Sequence, residues 1–491
     1  MSVTDRDISR RDFLKAAAFA ATFGGGCVSV QSHRKMSGKK NVLFIAVDDL
    51  RPELGCYGHE KIISPNIDRL AGEGVIFSRC YCQVPVCGAS RASLLTSIRP
   101  TRDRFVGARA KVDEDFPGAL TLPQYFKNHG YYTISNGKIF DNQFDRRRSW
   151  SESPWRPEGD WAGWQAYVTA EGRAIREANR KATDPEWQAY GLPYESADVA
   201  DNEYPDGVTA DKTIADMRRL AETGEPFFLA AGFLKPHLPF NAPSKYWEMY
   251  KREDIDLADN PFRPKGAPDA ALHNWSELRC YARIPEEGPL DDETARTLIH
   301  GYYACVSYTD AQIGRLLDEL DRLGISDNTV VVLWGDHGWN LGEHGLWCKH
   351  CNFETSLRSP LIIKDPEFRG GIKTGGLTEF VDIFPSLCEL CDLPIPKQLE
   401  GTSVVGLMKD PNRKWKKAVF SRYFAGDSVK TDRYRYTEWH DDENNRTARM
   451  LYDHSHDPFE NDNIAERPEN AELVKKLSGM IQRGYKHAAP D

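Results

Sequence analysis

With 491 residues, 40% of them hydrophobic, the chain is long enough to bury a large core and reads as one big domain plus a smaller one. A net charge of -9 and the lack of a long basic run exclude nucleic acid as the main partner, though local patches still allow a polyanionic substrate. The 11 cysteines lack the even, regular spacing of a disulfide framework.

The chain opens ISRRDFLKAAAFAATFGGGC. Paired Arg10 and Arg11, then Phe13-Leu14-Lys15 and a weakly apolar run of small residues, resemble a twin-arginine export signal over residues 1–33. That predicts a periplasmic, outer-membrane lipid-anchored or secreted protein. Cys27, after three glycines, is a candidate lipoprotein attachment site, although Gly24 stands where such a site prefers a larger aliphatic residue; an ordinary residue near a cleavage point is the alternative. The apolar run is too short to cross a bilayer and no other long uncharged stretch follows, so no transmembrane span is expected.

Four short apolar runs have the pattern of strands buried on both faces of a parallel sheet: NVLFIAV (41–47), YYTIS (131–135), PFFLAAGF (226–233) and TVVVLW (329–334). Helical patterns lie between them, such as 309–324, which closes on Gly324. This α/β alternation predicts a large, mostly parallel, doubly wound sheet flanked by helices. After the four runs come Asp48-Asp49, Gly137-Lys138, Lys235-Pro236-His237 and Gly335-Asp336-His337-Gly338. Ligands of open α/β sheets bind at the carboxyl ends of strands, so these groups are predicted to converge. One Asp pair alone is more often a turn or a helix cap; charged groups at four strand ends are harder to assign to turn chemistry. Asp48 and Asp49 with Asp336 supply the hard oxygens that calcium or magnesium prefers, while His337 either coordinates or orients a neighbour.

PVCGASRASLLTS (85–97) reads as a helix opening at Cys87, with Ser90 and Arg91 one turn on. A helix N-terminus and a nearby cation favour negative charge beside position 87. A cysteine nucleophile is one reading, but no cysteine-hydrolase arrangement accompanies it, and cations beside metal ligands suit a tetrahedral anion better than a peptide bond. CKHC (348–351) and CELC (388–391) have the look of two halves of a zinc site. CELC lies within an amphipathic helical pattern, which favours buried thiols instead. The tryptophan-rich 145–206 region lacks periodicity and predicts long loops at the rim of the cleft, its tryptophans either stacking on a ligand's rings or pinning the loops. Arg102, Arg104, Arg109 and Lys111 are candidates to meet a carboxylate or neighbouring anionic groups, with a solvated loop as the alternative. After about residue 405 the strand-like AVFSRYF, DRYRYTEWH and RMLYDHS precede an amphipathic helix, NAELVKKLSGMIQRGY.

Cys87-Gly88-Ala89-Ser90-Arg91 resembles the signature of type I sulfatases, in which the cysteine is oxidised to formylglycine. The resemblance extends through VDDLRPELGCYG, NGKIF, FLKPHLPF, GYYACVSYTDAQIGRLLDEL, GDHGWNLGEHGLWCKH and LYDHSHDPFENDNIA, with KPHLPF and DHGWNLGEHGLWCK most similar to the iduronate-2-sulfatase branch. It implies an alkaline phosphatase/sulfatase-like α/β sandwich, with a catalytic domain over 38–404 and a small C-terminal α+β subdomain over 405–491. By the same resemblance Asp48, Asp49, Asp336, His337 and the modified Cys87 hold one divalent cation, calcium before magnesium. Lys138 and Lys349 grip sulfate oxygens, Arg91 steadies the formylglycine hydrate, and His237, titrating near neutrality, protonates the departing sugar oxygen. In this chemistry one hydroxyl of a hydrated aldehyde attacks sulfur to form a covalent sulfate ester, and the other expels sulfate by reforming the aldehyde. Cys87 is then a precursor, and a formylglycine-generating maturation enzyme is an implied partner.

Two positions depart from the family's pattern. Ala89 replaces the more usual proline, and Asp141 follows the lysine motif where the family usually has a histidine, as proton shuttle or as plain loop residue. Ser90, Asp141, Arg109 and Trp339 are candidates for substrate contact. The implied activity is hydrolysis of sulfate esters on a sulfated carbohydrate, 2-O-sulfated uronic acid residues favoured. The alternatives are a phosphodiester or phosphonate hydrolase of the alkaline phosphatase superfamily, and a non-catalytic glycan-binding lipoprotein.

Overall fold

The computed structural model describes residues 38–158, 165–182 and 190–490, so the expected export signal and Cys27 lie outside the described residues. From Lys39 onward the chain forms one compact unit. Its main sheet has seven strands: β1 (Asn41–Val47), β2 (Val75–Phe77), β3 (Tyr132–Gly137), β4 (Phe227–Phe233), β5 (Thr329–Gly335), β6 (Leu361–Lys364) and β7 (Ile372–Thr374). Their order is β7-β2-β6-β5-β1-β4-β3, and β6 alone runs against the others. The four strands read from apolar runs are therefore four adjacent, parallel strands, β5-β1-β4-β3, with all four carboxyl ends on one edge.

Both faces of this sheet are covered, which is why the runs show no alternation. Along β1, Leu43, Ile45 and Val47 enter one core while Val42, Phe44 and Ala46 enter the other. On the first face lie α2 (Pro205–Thr223) and α3 (Asp292–Arg322); α1 (Cys87–Thr96) lies on the second. The helix read at 309–324 is the second half of α3, which starts at Asp292 behind an Asp291 side chain accepting from the Thr294 N–H at 2.8 Å. Its middle turns, Leu298 to Asp310, are buried on all sides, so no apolar stripe marks them.

The four cysteines considered for zinc are buried thiols. Cys348 and Cys351 belong to one core and Cys388 and Cys391 to the other, across the sheet, and no metal-capable grouping among the described residues includes them. The 145–206 region is not loop throughout: it carries a helix at Ala170–Ala182 and a strand at Tyr194–Ala197. Trp150 is core, its ring 6.4 Å from that of Phe140, and the Trp155 backbone pairs along β3 with Ser135 and Gly137. These two pin their segment; Trp161, Trp164 and Trp187 lie outside the described residues.

The C-terminal part is a four-stranded antiparallel meander, β8 (Ala418–Tyr423), β9 (Gly426–Thr431), β10 (Tyr434–His440) and β11 (Arg446–Asp453), against which α4 (Ala471–Arg483) packs Val474 and Leu477. β9 has no apolar signature because Ser428 and Lys430, both buried, point into a polar seam against the larger sheet's loops.

Candidate active site

The ends of β1 and β5 are stitched one residue past the sheet. Asp48 N–H donates to Phe233 O at 3.1 Å, Asp336 N–H to Val47 O at 3.2 Å, and Asp49 N–H to an Asp336 carboxylate oxygen at 3.0 Å. Asp49 adopts a left-handed backbone, φ 57°, which turns its side chain toward the others. Asp48, Cys87, Asp336 and His337 each present one donor atom, all within 4.8 Å of one another, and Asp49, Cys87 and His237 form a second such group. His337 Nδ1 donates to Gly338 O at 2.9 Å, leaving Nε2 to face Cys87 Sγ and an Asp49 oxygen, each at 3.3 Å. The donor set is rich in carboxylate oxygen, as a hard divalent cation requires. Burial pushes Asp49 well up, Lys349 opposes this, and the neighbouring Asp48, Glu277 and Asp336 carboxylates add to the rise. A divalent cation would offset that crowding of negative charge, so the residues fit one.

Lys138, Lys349 and Arg91 are each tied to these carboxylates. Burial alone would lower Lys138, but Asp48, 2.7 Å from its Nζ, outweighs that, and the ammonium is kept. Lys349 bridges Asp49 at 3.1 Å and Glu277 at 2.8 Å, held between left-handed Cys348 and His350. Arg91 is fully buried. It donates to Asp336 at 2.8 Å, to Asp48 at 3.2 Å and to the Lys138 and Ile139 carbonyls, over the Trp334 ring. It is a strut beneath the Asp48 and Asp336 carboxylates, and does not face the cavity. Gly137, at φ 73°, is what lets the Lys138 loop settle on β4: a Cβ there would stand 2.0 Å from Gly232 O.

Cys87 lies at the first turn of α1, at the base of a cavity of about 680 Å³ that Lys138, His237, Lys349 and Asp141 also line. Burial, then the Asp48 carboxylate, push its thiol well up, overriding the helix N-terminus and the two lysines. His237 also departs from expectation. Burial, then the Lys349 ammonium, push it down to about 3 against the opposing Glu277 carboxylate, well below the near-neutral range expected of it. Its Nδ1 nonetheless meets Leu238 O at 2.6 Å and its Nε2 meets Glu277 at 3.1 Å. Both nitrogens face acceptors, an arrangement complete only with a proton on each.

Of the four residues expected to contact substrate, Asp141 lines the cavity, with its carboxylate 3.1 Å from Lys138. Ser90 does not: it is buried and donates to Asp336 O at 2.5 Å, fixing the ligand's backbone. Trp339 is fully buried beneath Lys349, whose Nζ lies 4.7 Å from the ring centroid, because its segment turns under the sheet edge. Arg109 is exposed beside Ala108, which lines the cavity. Arg102 meets Asp441 O and Asn444, Arg104 meets Arg99 O, and Lys111 meets Glu114, so these three are committed to loops. Two cavity residues carry no sequence signal: Glu277, on the short helix Ser276–Arg279, and Arg156.

The C-terminal meander braces the loops that carry Cys87 and Lys349. Ser421 and Arg422 of β8 donate to Cys82 O and Gln83 O, at 2.6 and 2.8 Å. Arg435 of β10 is ion-paired with Glu354 and, at 2.9 Å, with Glu460, while the Glu354 N–H donates to Glu460 at 2.8 Å.

Comparison with known proteins agrees with this arrangement. The family described as Sulfatase matches residues 40–393, and N-sulphoglucosamine sulphohydrolase, C-terminal, matches residues 342–486. The mouse (Mus musculus) iduronate 2-sulfatase is 33% identical over 421 residues, which is 77% of this chain and 74% of that protein. The human (Homo sapiens) iduronate 2-sulfatase is 34% identical over 394 residues, 72% of this chain and 70% of that protein. A phosphonate monoester hydrolase from Silicibacter pomeroyi has the same alkaline phosphatase/sulfatase fold, with a TM-score of 0.71 at 22% identity over 92% of this chain and 96% of its own. The matched residues include every strand end described above, and the chain belongs to the sulfatase family, as a sulfuric ester hydrolase of the iduronate-2-sulfatase-like branch.

Proposed function

We propose that this enzyme removes sulfate from a sulfated carbohydrate, 2-O-sulfated uronic acid residues of an oligosaccharide or polysaccharide being favoured, with Cys87 converted to formylglycine as the nucleophile. The observation that carries the reading is the placement of Cys87 at the cavity base, beside two lysines and a carboxylate cluster fit for one cation. Asp48, Asp49, Asp336, His337 and the modified Cys87 would hold that ion, calcium before magnesium, and the ion would supply positive charge against the substrate's anionic oxygens. The aldehyde hydrate would supply a hydroxyl nucleophile.

The remaining work falls to the chain's own side chains. Lys138 and Lys349, kept charged by Asp48 and Asp49, orient the sulfate and balance the charge that develops on its oxygens. His237 Nε2 delivers a proton to the departing sugar oxygen. An incoming sulfate adds negative charge beside the ring, raising its proton affinity from the low value that burial imposes. Arg91 holds Asp48 and Asp336 in place. Asp141, in the cavity lining against Lys138, is the candidate to take a proton from the second hydroxyl. The Arg10-Arg11 pair supports export from the cytoplasm, and maturation would need a formylglycine-generating enzyme tolerant of Ala89.

The test is direct. Protein from a host with a competent maturation enzyme should show its Cys87 peptide lighter by about one water's mass, with sulfate release tracking the modified fraction. A fully active preparation whose Cys87 is an unmodified thiol would overturn the mechanism. A desulfation screen over defined sulfated oligosaccharides checks the substrate.

A further inference from the structure

Arg156 is unlike every other cation that meets the cavity. Lys138 has Asp48 and Asp141, and Lys349 has Asp49 and Glu277. The Arg156 guanidinium lines the cavity with no carboxylate within ion-pair distance among the described residues. Its Nη2 donates to the carbonyls of Phe140 and Asp141, at 2.6 and 2.9 Å, and its buried Nε has no partner. Burial pushes it down to about 10, with Asp141 opposing, so it is still a cation at neutral pH. A half-buried charge with no ion pair among the described residues is costly unless an anion arrives to meet it, and the two carbonyls hold the guanidinium in place at the cavity wall.

We propose that Arg156 receives a second anionic group of the substrate, the carboxylate of the sulfated sugar. The inference rests on the sulfatase reading and adds to it a residue that selects uronic acids. The sulfate cradle is built from ammonium groups, point charges suited to a tetrahedral anion. With Nη2 held by two carbonyls, the Arg156 guanidinium keeps its Nη1 hydrogens for a ligand, and these can meet a carboxylate oxygen in one charge-assisted hydrogen bond. The Phe140 and Asp141 carbonyls belong to the loop that follows Lys138, so the distance between the two anion receptors is set by a few residues of one backbone. That favours a substrate carrying both groups on one sugar.

The test compares a 2-O-sulfated uronic acid oligosaccharide, its carboxyl-reduced counterpart and an activated aryl sulfate. Arg156→Gln should cost roughly tenfold to a hundredfold in kcat/KM on the uronate, mostly in KM, as expected for loss of one charge-assisted hydrogen bond. The loss on the carboxyl-reduced sugar and the aryl sulfate should be at least tenfold smaller, and Arg156→Lys should recover part of the uronate activity. Calorimetric binding of the uronate to the Cys87→Ala protein, with and without Arg156→Gln, gives the same comparison without turnover. Equal losses on all three substrates would make Arg156 a prop for the Lys138 loop and overturn the proposal, as would unchanged uronate binding. Failure of the sulfatase reading is distinguishable, because then the wild-type protein releases sulfate from none of the three while calorimetry still reports on Arg156.

Discussion

Replacing Arg91 by methionine tests whether the buried guanidinium is a strut for the metal-ligating carboxylates. The substitution keeps much of the volume and removes four donations: to Asp48, to Asp336 and to the Lys138 and Ile139 carbonyls. Asp48 retains Lys138 at 2.7 Å, whereas Asp336 keeps only the Asp49 N–H and a longer contact with His337, so one buried carboxylate is left nearly uncompensated. Removing one partner from a buried charged pair costs about 3–5 kcal/mol. A unit of about 450 residues unfolds with an entropy near 1 kcal/mol/K, taking ~2.1 cal/mol/K per residue, so the cost appears as a Tm only about 3–5 °C lower. Differential scanning calorimetry at matched scan rates resolves that shift. Added calcium should restore Tm more in Arg91→Met than in the wild type, because the ion replaces part of the lost positive charge. Arg91→Lys should fall between the two. A variant within 1 °C of wild type, with the same calcium response, would refute the strut.

Asp48→Ala should lose bound divalent cation and sulfate release together, read by elemental analysis and ion chromatography; full activity in metal-stripped enzyme would count against the ligand set. His237→Ala should slow substrates with poor alkoxide leaving groups far more than activated aryl sulfates, since only the former need the proton, and equal losses would assign His237 to binding. Asp206, buried and accepting from the Leu234 and Lys235 N–H groups at 2.8 and 2.7 Å, is pushed up to about 6 by burial. A raised acid stabilises the fold through its protonated form, so its contribution is present below about pH 4 and lost as pH rises through 6. The stability difference between wild type and Asp206→Asn should therefore move by roughly 2 kcal/mol in the variant's favour between pH 4 and 7. A difference constant with pH would mean that Asp206 titrates normally.

What could be read from the residues alone was set by locality. The strands β1, β3, β4 and β5 are buried on both faces, so they appear as unbroken apolar runs, and charged groups just past them could only be at a strand's carboxyl end. Asp48, Lys138, His237 and Asp336 were legible for that reason. Glu277 was not, because it sits on a four-residue helix in an aperiodic stretch and reaches Lys349 and His237 only through tertiary packing. Arg156 lies in the same kind of stretch. Trp339 and Ser90 show the opposite failure: each neighbours a site residue in sequence but points beneath it, a direction that depends on how the chain turns after Gly338 and along α1. The low proton affinity of His237 follows from burial, which no spacing encodes. β9 was hidden because its Ser428 and Lys430 face is polar and its other face gives only Val429 to the core beneath α4, too little to make an apolar run.

The brace between the meander and the Cys82–Gln83 and Glu354 segments has a consequence for how this protein is divided. A chain cut after residue 404 would not be a smaller enzyme with its core intact, because the loops presenting Cys87 and Lys349 would lose the backbone and ion-pair partners that hold them. Exchanging the last ninety or so residues with those of a relative would transplant half of a joint, and the graft would need a partner for Glu354 and donors placed to meet the Cys82 and Gln83 carbonyls.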